Sequence, residues 1–270
     1  MMQKKVLKNI IHYNDCWFRN CFYQQLVAAY GAFGIPADYV VCNYTIDIDF
    51  SDDNETLDIR EHEILDEDEF SALTGICQKR VRFEDVCKQL CTAVRSGNPV
   101  ILGADSFYLP TRTQYYNQKH APHYLLVYEF DLKRKMFTVG ENDGIAIFHF
   151  TEKEVPFDVI EQTYHSFEER FASPDSAVQL EIAKKCPLYL RADALNKLKK
   201  DFCERNYIQY VSFYRMLLEK SWTVEELSSW LEFAIKYTNF FRILMKQCSY
   251  MFGEPKKLNV LADIWHDALS

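Results

Sequence analysis

Apolar residues recur at helical spacing through 16–33, at Trp17, Cys21, Leu26, Tyr30 and Phe33, and predict a helix that Gly34-Ile35-Pro36 ends. Shorter apolar runs at 39–44 and 46–50 predict strands. Residues 83–96 return to helical spacing, with Val86, Leu90, Cys91 and Val94 on one face and Gly97-Asn98-Pro99 as terminator. The period then changes. Runs at 100–102, 123–131, 135–141 and 145–150 predict four strands, the second and third joined by a polar hairpin turn at 131–135. Phe137, Val139 and Glu141 alternate onto one face, so the Glu141 side chain continues the inward row where the strand ends. Thr151-Glu152-Lys153-Glu154 has the capping-box pattern and predicts a helix start near 151. From 173 onward the pattern reads as helix, over 180–186, 192–216, 223–237 and 258–269, with Thr223 and Glu226 marking a start. Layer logic makes this an α+β protein, with a mixed core over 1–172 and a helical module over 173–270.

Composition narrows the function. Net charge is −8, which disfavours binding nucleic acid through phosphate neutralisation. No apolar run reaches the length of a membrane span, and the N-terminal residues lack the apolar core of a secretory signal. Nine cysteines, an odd number without CxxC pairs, predict free thiols in a reducing cytoplasm and no zinc site. No metal or organic cofactor is implied. Twelve carboxylates between 47 and 69 face a single arginine, Arg60. They read as a solvated loop or as an electrostatic funnel for a polycationic acceptor. Lys184, Lys185, Lys197, Lys199, Lys200 and Arg205 read as a solvated face or as a dock for an acidic partner.

The candidate chemistry is cysteine-nucleophile acyl transfer. A cysteine near a helix start, a histidine opening a buried strand and a carboxylate or amide one strand later supply nucleophile, base and orienting group. His123 opens the run 124–128. Cys21 is one candidate nucleophile. Cys16 is the alternative, because it lies nearer the helix start, where unpaired N–H groups lower a thiol pKa. Glu141 is favoured as orienting group by alternation. Asn142 and Asp143 stay open, since a one-residue bulge would exchange them and the tetrapeptide also suits a β-turn.

Three segments carry a resemblance. They are Asn20-Cys21-Phe22-Tyr23-Gln24-Gln25-Leu26 with Phe33-Gly34, Asn98-Pro99-Val100-Ile101 leading to Asp105-Ser106-Phe107-Tyr108-Leu109-Pro110, and Tyr115-Tyr116 before His120-Ala121-Pro122-His123. Together they resemble the butirosin-biosynthesis acyltransferase family, over roughly 14–150. The resemblance implies a papain-like core with an antiparallel sheet. It implies an acyl group taken from the phosphopantetheine thioester of an acyl carrier protein and passed to a small-molecule amine, an aminoglycoside in the founding member. Its spacing from Cys21 to Phe33-Gly34 favours Cys21 over Cys16 as nucleophile. His120 reads as a solvent-exposed loop residue or as lining the substrate cleft, with Asp105 and Tyr108 as further candidate substrate-binding residues and Tyr108 equally suited to a core. Two other readings use the same residues: a papain-like cysteine peptidase, and a carrier-protein-binding module without catalysis.

Overall fold

The computed structural model describes residues 3–12, 21–50, 57–143 and 149–183, with isolated positions at 193, 196–198, 200 and 223. In chain order the elements are β1 (Lys4–Val6), α1 (Cys21–Gly31), α2 (Ala37–Cys42), β2 (Tyr44–Phe50), β3 (Leu57–Glu63), α3 (Glu67–Thr74) and β4 (Ile76–Arg80). They continue with α4 (Val86–Arg95), β5 (Val100–Asp105), β6 (Pro122–Asp131), β7 (Met136–Asp143), β8 (His149–Pro156), α5 (Phe157–Phe171) and β9 (Ala177–Ile182). The chain divides into two compact units, Met1–Val41 with Asp66–Arg191, and Cys42–Leu65 with Ala192–Ser270.

The first unit is α+β. Its open sheet runs β4-β9-β5-β6-β7-β8, with β1 paired to the far end of β6, and every described pairing is antiparallel. Strand β5 lies mid-sheet and is buried along its whole length, as its unbroken apolar run requires. The helices contribute Val27 and Ala28 (α1), Val86, Leu90 and Val94 (α4), and Ile160, Tyr164 and Phe167 (α5), all essentially inaccessible. Each fully buried large apolar side chain is worth about 1.5–3 kcal/mol. Helix α4 starts on Asp85, whose carboxylate accepts from Lys88 N (3.2 Å), and presents its i, i+4, i+8 row inward. The second unit contains the β2–β3 hairpin, whose neck is closed by Asn43: its side chain donates to Leu65 O (2.9 Å) and accepts from Leu65 N (2.8 Å).

Four expected elements come out differently. Residues 39–44 are mostly helix, because Pro36 presets the first turn and Tyr39 N closes it on Pro36 O (3.1 Å). A short β-branched run has no period long enough to separate the two states. The helix expected at 151 is strand β8, in unbroken register with β7 from Asp143↔His149 to Met136↔Pro156, and helix begins only after Pro156. Sheet pairing there overrides the local capping pattern. The helix expected at 180–186 begins as strand β9, which fills the gap between β4 and β5. The acidic stretch is not all loop: 57–63 pairs with β2, and Asp66 and Glu69 form a reciprocal capping box for α3. Apart from the isolated positions 193, 196–198, 200 and 223, the rest of the expected C-terminal helical module, including Lys184, Lys185, Lys199 and Arg205, lies outside the described residues, as do 13–20. No described helix is long and apolar enough to cross a membrane.

Gly103, in the middle of β5, is a point of close approach. A Cβ there would lie 2.4 Å from the Phe167 ring of α5. Gly103→Ala is therefore expected to destabilise the fold by about 1–3 kcal/mol in urea unfolding, with partial recovery when combined with Phe167→Leu. Strict additivity of the two changes would deny the contact.

Candidate active site

Antiparallel register brings the chemistry to one end of the sheet. Strand β5 ends at Asp105, opposite Pro122, where β6 begins, and Ala104 faces His123. Strand β7 runs back to the same end and finishes in Glu141, Asn142 and Asp143. Helix α1 is pinned there by two contacts. The Phe22 ring meets Tyr124 edge-on at 5.1 Å, and Gln25 Nε2 donates to Asn142 Oδ1 at 2.9 Å. Cys21, the first residue of the helix, thereby sits beside the start of β6. The backbone amides of Tyr124, Phe22 and Cys21 itself, together with the Arg112 charge, favour the thiolate. Burial raises the thiol pKa more than these groups lower it, so the sulfur is protonated at rest and needs a base.

His123 is buried, 3% exposed, with its Nε2 3.7 Å from Glu141 Oε1. The register explains the match. Continuing the Leu126↔Gly140 pairing puts Glu141 opposite Leu125, on the same face as His123. Arg112 completes the cluster: its Nε is 3.8 Å from the same Glu141 oxygen, and its Nη1 donates to Asn142 O at 2.7 Å. Burial first, and the Arg112 charge second, push His123 down to about 3, so the imidazole is neutral. Its Nε2 has no hydrogen-bond partner among the described residues, and none links Cys21 Sγ to either His120 or His123. The three candidate orienting groups thus separate. Glu141 lies beside His123, Asn142 is tied to α1, and the Asp143 side chain lies outside the described residues, as does Cys16.

A second pair lies three residues upstream of His123. Asp105, with no exposed surface, holds His120 Nδ1 at 2.6 Å from its Oδ2. The same carboxylate accepts from Ser166 Oγ (2.7 Å) and from the backbone N–H groups of Phe107 (3.1 Å) and Ala121 (3.3 Å). Burial raises the Asp105 pKa, but these donors more than reverse it, so the carboxyl is ionised. The His120 ring stacks on Phe107 at 4.3 Å and meets Tyr108 edge-on at 6.1 Å. These residues are the candidate substrate-binding group, gathered on one another.

Tyr124 also leads outward. Its hydroxyl and Ser173 Oγ share a hydrogen bond (3.2 Å), and Ser173 lines a cavity of about 440 Å³ with Arg80, Arg82, Glu168 and Ser176. Among the described residues no three of His, Cys, Asp and Glu come together as metal ligands. Sequence reasoning missed Arg112, Gln25 and Ser166. Gln25 carries a signal, being one of two adjacent buried amides, with Gln24, in a helix that is otherwise apolar. Arg112 and Ser166 carry none, because only the tertiary fold brings them to their partners.

The depressed His123 pKa makes a stability prediction. Between its ordinary 6.5 and about 3, the unfolded chain binds a proton that the folded chain refuses, so stability falls as pH drops through that window. The loss from this group between pH 7 and pH 5 is about 2 kcal/mol. His123→Gln should remove that share of the acid sensitivity in urea unfolding at the two pH values, and an unchanged difference would contradict the burial.

Comparison with known proteins adds one assignment. No curated protein matches the chain. The family model of the DUF1839 N-terminal domain matches residues 8–178, which holds Cys21, both histidines, Asp105 and Glu141. That match covers more than half of the chain, and the protein belongs to the DUF1839 N-terminal domain family.

Proposed function

We propose that the protein is an acyltransferase with a papain-like core, in which Cys21 carries an acyl group from a carrier-protein thioester to an amine. The observation that carries this reading is the placement of Cys21 at the first position of α1, where the backbone amides of Tyr124, Phe22 and Cys21 itself and the Arg112 charge favour the thiolate. A helix start of this kind stabilises both a thiolate and the oxyanion of a tetrahedral intermediate. The sheet end beside it holds a neutral imidazole with a carboxyl group next to it, and because burial and Arg112 disfavour a free imidazolium there, proton uptake from the thiol has to be concerted with attack on the thioester carbonyl.

In the first half-reaction His123 takes the thiol proton as the sulfur attacks the thioester carbonyl, and the new C–S bond replaces the old one. The pantetheine thiolate leaves and takes the proton back from the imidazolium. In the second half-reaction a neutral amine attacks the acyl-cysteine, the C–N bond forms as the C–S bond breaks, and the amine proton ends on the released Cys21 sulfur. Carrier protein and amine come from the family resemblance; cysteine, histidine and backbone donors are the protein's own. No cofactor enters either step.

Incubation with a butyryl-pantetheine thioester should add one acyl mass, mapped by peptide mass spectrometry to Cys21. Cys21→Ala should abolish the adduct while its unfolding transition is kept. An adduct that survives in Cys21→Ala, or that maps to Cys16, would reassign the nucleophile. A wild-type protein that forms no adduct but cleaves peptides would support a peptidase instead.

A further inference from the structure

We infer that Asp105 and His120 form a second acid–base pair, which serves the acceptor half of the reaction: His120 Nε2 removes the proton from the nucleophile that attacks the acyl-cysteine. This rests on the acyl-transfer reading above and assigns the two histidines separate work.

Three observations carry it. The first is the fixed tautomer. An ionised carboxylate only accepts, so the 2.6 Å contact places a proton on His120 Nδ1, and in the neutral ring the lone pair is then on Nε2. The second is access. The His120 side chain is about a third exposed (32%), whereas His123 is at 4%, so only His120 can meet an acceptor arriving from solvent. The third is charge. The Asp105 carboxylate is held by Ser166 and two backbone N–H groups, so it cannot swing away when its partner becomes imidazolium. Stacking on Phe107 fixes the ring plane. The pair also lies at the correct end of the sheet: Asp105 is opposite Pro122 and Gly103 is opposite Tyr124, the residue whose backbone amide favours the Cys21 thiolate.

The step balances as follows. A neutral amine adds to the acyl carbonyl, and His120 Nε2 takes a proton from the nitrogen of the adduct. The C–S bond breaks, and the imidazolium proton passes to the departing Cys21 thiolate. Amide and free thiol are the products, and His120 is neutral again. Water can take the place of the amine and yields the carboxylic acid.

The test is single-turnover decay of butyryl-Cys21, followed by intact mass in three solutions: buffer alone, putrescine and hydroxylamine. Putrescine and water need a base. Hydroxylamine, neutral and strongly nucleophilic at pH 7, needs little help. His120→Gln keeps a donor for Asp105; its acylation by butyryl-pantetheine is measured first, and decay is then followed from the acylated fraction alone. Its transfer to putrescine and to water should fall by roughly 10²–10⁴-fold, with hydroxylamine decay nearly unchanged. In His120→Gly, added imidazoles should restore decay in order of their basicity, which a purely structural role would not produce. Asp105→Asn should also slow decay. If His120→Gln passes its acyl group to putrescine and water at the wild-type rate, or loses acylation as well, the assignment of His120 to the acceptor step is wrong. If wild-type Cys21 never acylates, the acyl-transfer reading itself falls, and this assignment with it.

Discussion

The site depends on the register between β5 and β6. Pairing Ala104 with His123 and Asp105 with Pro122 brings the end of one buried strand to the beginning of the next. A slip of one residue would turn His123 to the other face and take Asp105 away from the loop that carries His120. That register is held by Val100, Ile101, Leu102, Leu125, Leu126 and Val127, all completely buried, and by α5 against Gly103. Packing energy far from the chemistry therefore sets ångström-scale distances within it. The polar end of the sheet is tolerated because the apolar middle is so well packed.

Long elements with a clear period were legible in the sequence. Helix α4, strands β6 and β7 and the turn between them follow from patterning, and so does the inward side of Glu141. Short or tertiary-determined elements were not. Strand β9 pairs with residues about 80 to 100 positions earlier, and nothing in its own few residues records those partners. The sheet likewise claims β8, despite a helix-start motif, because an extended partner on the edge of β7 satisfies backbone groups that a helix there would leave unpaired. The site divides in the same way. Cysteine, histidine and carboxyl types could be picked out along the chain. Their pairing could not, since it depends on strand register and on Arg112, a residue with no local signature.

Arg112 shows how one charge can have opposite effects on neighbouring groups. Near Cys21 it favours the thiolate; near His123 it disfavours the imidazolium. In the acyl-enzyme we propose, both effects favour the same arrangement of protons, a sulfur able to leave as an anion and a neutral ring. Its bond to Asn142 O fixes the guanidinium, and Gln25 ties the Asn142 side chain to α1, so helix, loop and strand share one polar junction. Loss of either link would move Cys21 relative to β6 without touching any reacting atom.

Two histidines three residues apart therefore differ because of what the strand does between them. His123 is inside the sheet, where burial and a neighbouring cation keep it neutral and a carboxyl group lies just beyond hydrogen-bond range. His120 is just outside, where an ionised, fully hydrogen-bonded carboxylate holds the proton of one nitrogen and leaves the lone pair on the other. In a reaction with two half-steps, the first needs a base shielded from water beside the nucleophile. The second needs one that an incoming acceptor can reach. A single histidine would have to change its exposure between the steps. The start of β6 separates these environments within four residues, and no moving part is needed to do so.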